Sequence, residues 1–189
     1  MSSITDAFEA IDRSNFIPDE YKAEAKADAP LPIGYGQTIS QPTTVRLMLT
    51  WLDVKPGNRV LDVGSGSGWT TALLSALSGK TGKVFAVELI PELVKQGKNN
   101  CERIGINNVE FLQAASEYGL PKQAPYDRIL VSASAKQLPA ELIDQLKIGG
   151  ILVIPVKNDI LEITKKSPHE YETTTHPGFI FVPLIKPAK

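Results

Sequence analysis

Hydrophobic positions follow different rhythms along the chain. Between Ile4 and about Ala27 apolar residues are scattered among charges and interrupted by Pro18, which predicts short, broken helices. Ala29-Pro-Leu-Pro-Ile-Gly-Tyr-Gly36 reads as a loop by its prolines and glycines. Val45, Met48, Leu49 and Leu52 then fall at i, i+3, i+4 and i+7, one face of an amphipathic helix with Pro42 in its first turn.

After Lys55-Pro56-Gly57 the pattern alternates between short apolar runs and helical stretches. Strands are expected at Arg59 to Val63, Lys83 to Val87, Val109 to Leu112 and Arg128 to Val131, and from Ile151 to Val156 after a Gly149-Gly150 turn. Between them, Thr70 to Leu77 is apolar nearly all round and predicts a well-buried helix. A second helix opens at Pro91 with Leu93, Val94, Gly97, Cys101 and Ile104 on one face, and a third runs from Pro139 to about Lys147. Weaker strands are expected around Ile160 to Lys165, Tyr171 to Thr174 and Phe179 to Leu184. Strands alternating with helices imply an α/β, Rossmann-like, doubly wound and mostly parallel sheet. The helix-poor end implies antiparallel strands added at one edge. The reading is a single domain: an N-terminal helical, substrate-side region over 1–53, a cofactor-binding core over 54–156 and C-terminal strands over 157–189.

Composition narrows the function classes. The chain has 189 residues, 42% of them hydrophobic, which is enough for a core without disulfide or metal staples. With 20 basic and 21 acidic side chains it lacks the basic excess of a nucleic-acid binder, so no nucleic-acid partner is expected. The longest strongly apolar stretch, Ile151 to Val156, is far short of a bilayer span, so no membrane partner is expected either. The first ten residues carry no basic region followed by an apolar core, so a signal peptide is not expected. Cys101 has no second cysteine to pair with, which favours a reducing cytoplasm.

The sharpest local signal is Asp62-Val-Gly64-Ser-Gly66-Ser-Gly68-Trp69 between a strand and a helix. Glycines there allow a tight turn and let a ligand approach the main chain, and a helix N-terminus follows. The dinucleotide fingerprint G-x-G-x-x-G is not met, because the third glycine comes one residue early. A P-loop would need a Gly-Lys-Ser/Thr ending, and Gly68-Trp69-Thr70 lacks the lysine. The spacing instead resembles S-adenosylmethionine-dependent methyltransferases. Glu88, at the end of the second core strand, is the acid that would bind both ribose hydroxyls.

After the fourth core strand the chain reads Ser132-Ala-Ser-Ala135, without an Asn/Asp-Pro-Pro-aromatic clamp for amines and without acids for a metal. Cys101 falls on a core face and reads as an inert thiol; His169 and His176 read as surface residues and not as a metal site. A site with no obvious base, thiol or metal suits an acceptor that needs no deprotonation. A carboxylate, with a pKa of ~4, is one.

Upstream lies the string Pro32-Ile-Gly-Tyr-Gly-Gln37-Thr38-Ile39-Ser40-Gln-Pro42. With the glycine loop it resembles the protein-L-isoaspartate O-methyltransferase family, and so do Asp12-Arg-Ser-Asn-Phe16, Ala124-Pro-Tyr-Asp127, Leu142 to Gly150 and Phe181-Val-Pro-Leu184. The resemblance implies methyl transfer from S-adenosylmethionine to the α-carboxyl of L-isoaspartyl residues in damaged proteins, by a monomer. It places Ser40 at the active site, or alternatively as a cap for the helix near Pro42. It assigns Gln37, Thr38 and Ile39 to the cofactor and substrate mouth, Gly64, Ser65, Gly66, Ser67 and Gly68 to the methionine part, and Glu88 to the ribose; Leu89, Ala115 and Ser116 are also expected to be cofactor-binding. One position departs from the family. Its usual Gly-Asp-Gly after the third core strand, whose aspartate contacts adenine, is Ala114-Ala115-Ser116 in this chain. Two alternatives stand beside this reading: a methyltransferase for a small-molecule carboxylate or hydroxyl, and a non-catalytic binding module.

Overall fold

The structure, a computed structural model, describes residues 3–186. The N-terminal region holds helix α1 (Ile4–Ala10), two 3-10 turns (Arg13–Phe16 and Asp19–Glu24), strands β1 (Leu31–Gly34) and β2 (Gln37–Ile39), and helix α2 (Pro42–Leu52). The core follows as β3 (Arg59–Val63), α3 (Trp69–Ser78), β4 (Lys83–Glu88), α4 (Pro91–Arg103), β5 (Val109–Gln113), β6 (Tyr126–Val131), α5 (Ala140–Asp144) and β7 (Leu146–Val156). Strands β8 (Asp159–Lys165) and β9 (Tyr171–Pro177) close the sheet.

The main sheet runs β5-β4-β3-β6-β7-β8-β9. The pairs from β5 to β7 are parallel, and β8 and β9 add antiparallel at one edge. The parallel strands alternate between two cores. Val60, Val84, Leu130 and Val153 pack with the apolar faces of α2, α3 and α4. Leu61, Phe85, Ile129 and Leu152 face the other way, toward Leu142 and Ile143 of α5. The period of two in each strand thus supplies both layers of a doubly wound sheet. The chain leaves β3 toward β4 and β5, then returns to place β6 on the other side of β3. That reversal opens a crevice beyond the carboxyl ends of β3 and β6, where ligands bind in this class of sheet. Among the described residues no helix is long and apolar enough to cross a membrane.

Three expectations about elements are corrected. The stretch read as a loop is the first arm of a β1-β2 hairpin, with Leu31 paired to Ile39 and Pro32 to Thr38. Gly34, Tyr35 and Gly36 all take positive φ, so the glycines make its turn while Leu31, Ile33 and Ile39 bury its inner face. The helix expected to run to about Lys147 stops at Asp144. The buried Lys165 ammonium donates to the carbonyls of Ile143 and Leu146 at 2.9 and 3.0 Å, and the Tyr126 N–H donates to the Gln145 carbonyl at 2.9 Å. Leu146 therefore begins β7, and Gly149-Gly150 lies within that strand rather than before it. The strand expected at Phe179 to Leu184 is only an isolated bridge, Ser134 to Pro183. Pro183 has no N–H to extend a ladder, and Ile180 is 92% exposed. His176 is also not a free surface residue. It stacks on Trp51 of α2 at 3.7 Å between ring centroids, and its Nε2 lies 3.1 Å from Glu162. Cys101 is buried, and burial pushes its thiol up to about 12, with Asp62 and Glu102 adding to the shift.

Candidate active site

The glycine loop is built from backbone bonds that only its sequence permits. The N–H groups of Gly64 and Ser65 donate to the Val87 carbonyl at 2.8 and 3.2 Å, and the Gly68 N–H donates to the Ser65 carbonyl at 2.9 Å. Gly64, Gly66 and Gly68 have φ of 79°, 52° and 91°, a region that side chains disfavour. From α4, the Asn100 amide donates to the Ser67 carbonyl at 3.0 Å and the Cys101 thiol to the Gly68 carbonyl at 3.6 Å.

Glu88 closes the loop from below. Its carboxylate accepts from the N–H of Gly66 at 2.9 Å, of Leu89 at 2.7 Å and of Ile90 at 3.0 Å. A carboxylate has roughly four lone-pair sites, so about one remains for a ligand hydroxyl. Neighbouring Asp62 is fully buried and accepts from the Thr71 hydroxyl at 2.6 Å. Burial raises its carboxyl to about 7, the Thr71 hydrogen bond opposes the shift and the Glu88 charge adds to it.

The rise has a consequence for stability. Between its ordinary value of 3.8 and about 7, the folded chain keeps a proton on Asp62 that the unfolded chain releases. The unfolded state binds fewer protons in that window, so this group favours folding most at low pH and loses its contribution as pH rises toward 7. Asp62→Asn keeps an acceptor for Thr71 and removes the titration. In cofactor-free protein, the melting temperature of the wild type should fall relative to Asp62→Asn between pH 4 and 7 and run parallel above it. Parallel curves throughout would contradict a buried, protonated Asp62.

A cavity of about 260 Å³ opens over the loop. Its floor is Gly64 to Ser67 with Glu88 and Leu89; one wall is the hairpin, with Gln37, Thr38, Ile39 and Ser40. The expected site residues of the loop, the ribose acid and the T-I-S strand therefore meet in one place. Three do not line it. Gly68 stands behind the loop, where an added Cβ would lie 2.9 Å from the Gly97 carbonyl oxygen. Ala115 and Ser116 are exposed and outside the lining; Ala114, Tyr118 and Gly119 occupy that side. Ser40 does not cap α2. Gln41 is the N-cap residue, and the first turn is instead satisfied by Asp28, which accepts from the Thr43 N–H at 2.8 Å.

Sequence reasoning missed the C-terminal half of the far wall. Ser132, Ala133 and Val182 to Ile185 line that wall. This last segment is held to the end of β6 by two bonds: Ser134 N–H to the Val182 carbonyl at 2.7 Å and Leu184 N–H to the Ser134 carbonyl at 2.8 Å. Lys186 then pairs with Glu141 at 2.6 Å. The Phe181-Val-Pro-Leu184 string is visible as a motif, but nothing local says that it folds back onto β6.

The pocket suits the methionine end of S-adenosylmethionine. Ser65 Oγ and Trp69 Nε1 are buried and have no hydrogen-bond partner among the described residues, although both residues line the cavity. Buried polar atoms are rarely left so, and a small charged group seated on the loop would satisfy them. The ionisable side chains of the lining are Glu88, Glu117 and Tyr118.

Comparison with known proteins agrees with this geometry. The family model for protein-L-isoaspartate(D-aspartate) O-methyltransferase matches residues 1–189. A protein-L-isoaspartate O-methyltransferase of Fervidobacterium nodosum is 43% identical over 182 residues, covering 94% of this chain and 92% of its own length. A solved protein-L-isoaspartate O-methyltransferase superposes with a TM-score of 0.88 at 30% identity, over 96% of this chain and 60% of that one. A Plasmodium falciparum relative crystallised with S-adenosyl-L-homocysteine superposes with a TM-score of 0.84 at 29% identity, over 97% of this chain and 90% of its own.

Proposed function

The chain belongs to the protein-L-isoaspartate O-methyltransferase family, and from that premise we propose how its pocket carries out the reaction. It is a protein repair enzyme that transfers a methyl group from S-adenosylmethionine to isoaspartyl residues. The observation that carries the site assignment is the meeting of the Ser40 strand with the glycine loop and its unpartnered Ser65 and Trp69 polar atoms in one cavity.

S-adenosylmethionine supplies an electrophilic methyl on a sulfonium. Ser65, Ser67 and the loop backbone hold its methionine end, and the Trp69 indole N–H donates to it. Glu88 and Leu89 receive the ribose. Ala114, Tyr118 and Gly119 flank the adenine; Ala115 and Ser116 support that loop from outside. Gln37, Thr38 and Ile39 shape the mouth. Ser40, whose hydroxyl makes no hydrogen bond to another described residue, donates to the acceptor carboxylate and orients it. The acceptor is the α-carboxyl of an L-isoaspartyl residue. It is already anionic near pH 7, so no side chain need take a proton from it. An oxygen lone pair forms the O–CH₃ bond as the S–CH₃ bond breaks, and the electron pair of the broken bond stays on sulfur. The protein's part is positioning and exclusion of water, which Val182 to Ile185 help provide across the mouth. The N-terminal region through residue 53 forms the substrate side of a single domain. We take the enzyme to be a cytoplasmic monomer, a setting that suits its lone, buried thiol Cys101.

Ser40→Ala tests the assignment. At saturating S-adenosylmethionine and isoaspartyl peptide, kcat should fall by about tenfold or more, because the lost bond orients the acceptor in the transition state. The affinity for S-adenosylhomocysteine should stay close to wild type. An unchanged kcat would remove Ser40 from the reaction.

A further inference from the structure

Arg13 is buried, with 5% of its surface exposed, yet among the described residues no carboxylate forms an ion pair with it. Its terminal nitrogens are saturated by backbone carbonyls instead. Nη1 donates to Ala25 and Ala27, each at 3.1 Å. Nη2 donates to Ala29 at 2.7 Å, to Ser40 at 3.1 Å and, more weakly, to Ile39 at 3.5 Å. These last acceptors come from the two ends of the β1-β2 hairpin: Ala29 precedes β1, Ile39 ends β2 and Ser40 follows it. Nη2 of this planar fork therefore closes the base of the hairpin, and Nη1 ties that base to the Ala25–Ala27 segment. The same guanidinium carbon lies 5.4 Å from the ring centroid of Trp69, the first residue of α3 after the glycine loop. Arg13 thus touches the hairpin wall and the lining residue that follows the glycine loop, while itself lying outside the lining.

A buried cation held by carbonyls is a demanding arrangement, because removing it strands several acceptors at once. A simple core position would not need it. We propose that Arg13 is a positioning residue for methyl transfer: by binding the Ser40 carbonyl and packing on Trp69, it sets the distance between Ser40 and the glycine loop. The proposal rests on the reading of Ser40 given above. Lysine cannot replace it, since a single ammonium presents its donors from one point and cannot hold Ala25 and Ala27 on one side and the hairpin ends on the other.

Arg13→Lys, Ser40→Ala and the double variant are compared with wild type. Rates are normalised to cofactor sites counted by calorimetric titration with S-adenosylhomocysteine, so that misfolded protein does not enter kcat. Arg13→Lys should lower kcat by about tenfold to a hundredfold, the range expected when a reacting group is displaced by about an ångström. Its affinity for S-adenosylhomocysteine should stay near wild type, because the loop keeps its own bonds to Glu88 and Asn100. The double variant should lose little beyond Ser40→Ala alone, since residues acting as a unit are not additive. A merely structural arginine would lower the melting temperature and leave kcat per site unchanged, and that result would overturn the proposal. So would fully multiplicative losses in the double variant. A silent Ser40→Ala would instead remove the reading of Ser40 on which the proposal stands. If the lysine variant folds poorly, Arg13→Ala is assayed with and without millimolar guanidinium. Restored kcat supports the fork, and no restoration in cofactor-binding protein overturns it.

Discussion

Glu88→Ala is expected to weaken S-adenosylhomocysteine binding by about a hundredfold and to lower the stability of the free protein as well. The size follows from what the carboxylate does before any ligand arrives. It accepts N–H groups from Gly66 in the loop and from Leu89 and Ile90 beyond β4. Hydrogen bonds to a charged group contribute about 1.5–3 kcal/mol each, and a donor left buried and unmatched is penalised further. The alanine variant strands these donors, frees the Gly66 turn and removes the acceptor proposed for the ribose. Glu88→Gln should be nearly as damaging. Its amide NH₂ would face an N–H donor, so only one side of the group could still accept. Calorimetry and thermal unfolding on all three proteins give the answer. Cofactor affinity within about threefold of wild type in Glu88→Ala, a difference well under 1 kcal/mol, would show that the loop holds its shape and the ribose without this residue.

Gly68→Ala should produce the largest loss of stability among the loop glycines. Its φ of 91° already disfavours a side chain, and an added Cβ would sit 2.9 Å from the oxygen and 3.0 Å from the Cα of Gly97. Both are backbone atoms and cannot swing aside. Relief requires α4 to move away from the loop, which would break the bonds from Asn100 and Cys101. Overpacking of this kind costs about 3 kcal/mol, a drop of about 6–12 °C in Tm for a chain of this size. Gly105→Ala is the control. Gly105 also has positive φ, 78°, but a Cβ added there would meet nothing within 4 Å, so only backbone strain applies. Equal destabilisation of the two variants would show that strain alone, and not the Gly68–Gly97 contact, decides.

These two positions also show what the sequence could reveal. Gly68 and Glu88 are legible because their chemistry is local: a glycine one residue after Ser67, and an acid at the end of an apolar run. The sheet is legible for the same reason, since strands such as Lys83–Glu88 are buried on both faces and read as continuous apolar stretches. The hairpin is hidden because Pro32 and three successive positive-φ residues look like a loop when its pairing partner is not known. The early end of α5 depends on Lys165, some twenty residues away and on another strand. Arg13 stands in a visible motif, but nothing near it in sequence says that its guanidinium closes on Ser40. The wall formed by Val182 to Ile185 likewise comes from a return to β6 after two edge strands. In each case the missing information is a long-range contact.

The departure at Ala115 takes on a different meaning in the structure. Ala115 is exposed while Ala114, Tyr118 and Gly119 face the cavity. On that side the cavity is lined by neighbours of the position where the family pattern carries an aspartate. Tyr118 is fixed there by the Lys186 ammonium 5.0 Å over its ring and by its N–H, which donates to Glu141.

The central claim is that this pocket methylates isoaspartyl residues. It is tested most directly with two peptides of one sequence, one carrying an L-isoaspartyl residue and the other the normal aspartyl residue, each incubated with methyl-labelled S-adenosylmethionine. The isoaspartyl peptide should gain a base-labile methyl ester and its aspartyl twin should not. Equal labelling of both peptides, or of neither, would contradict it.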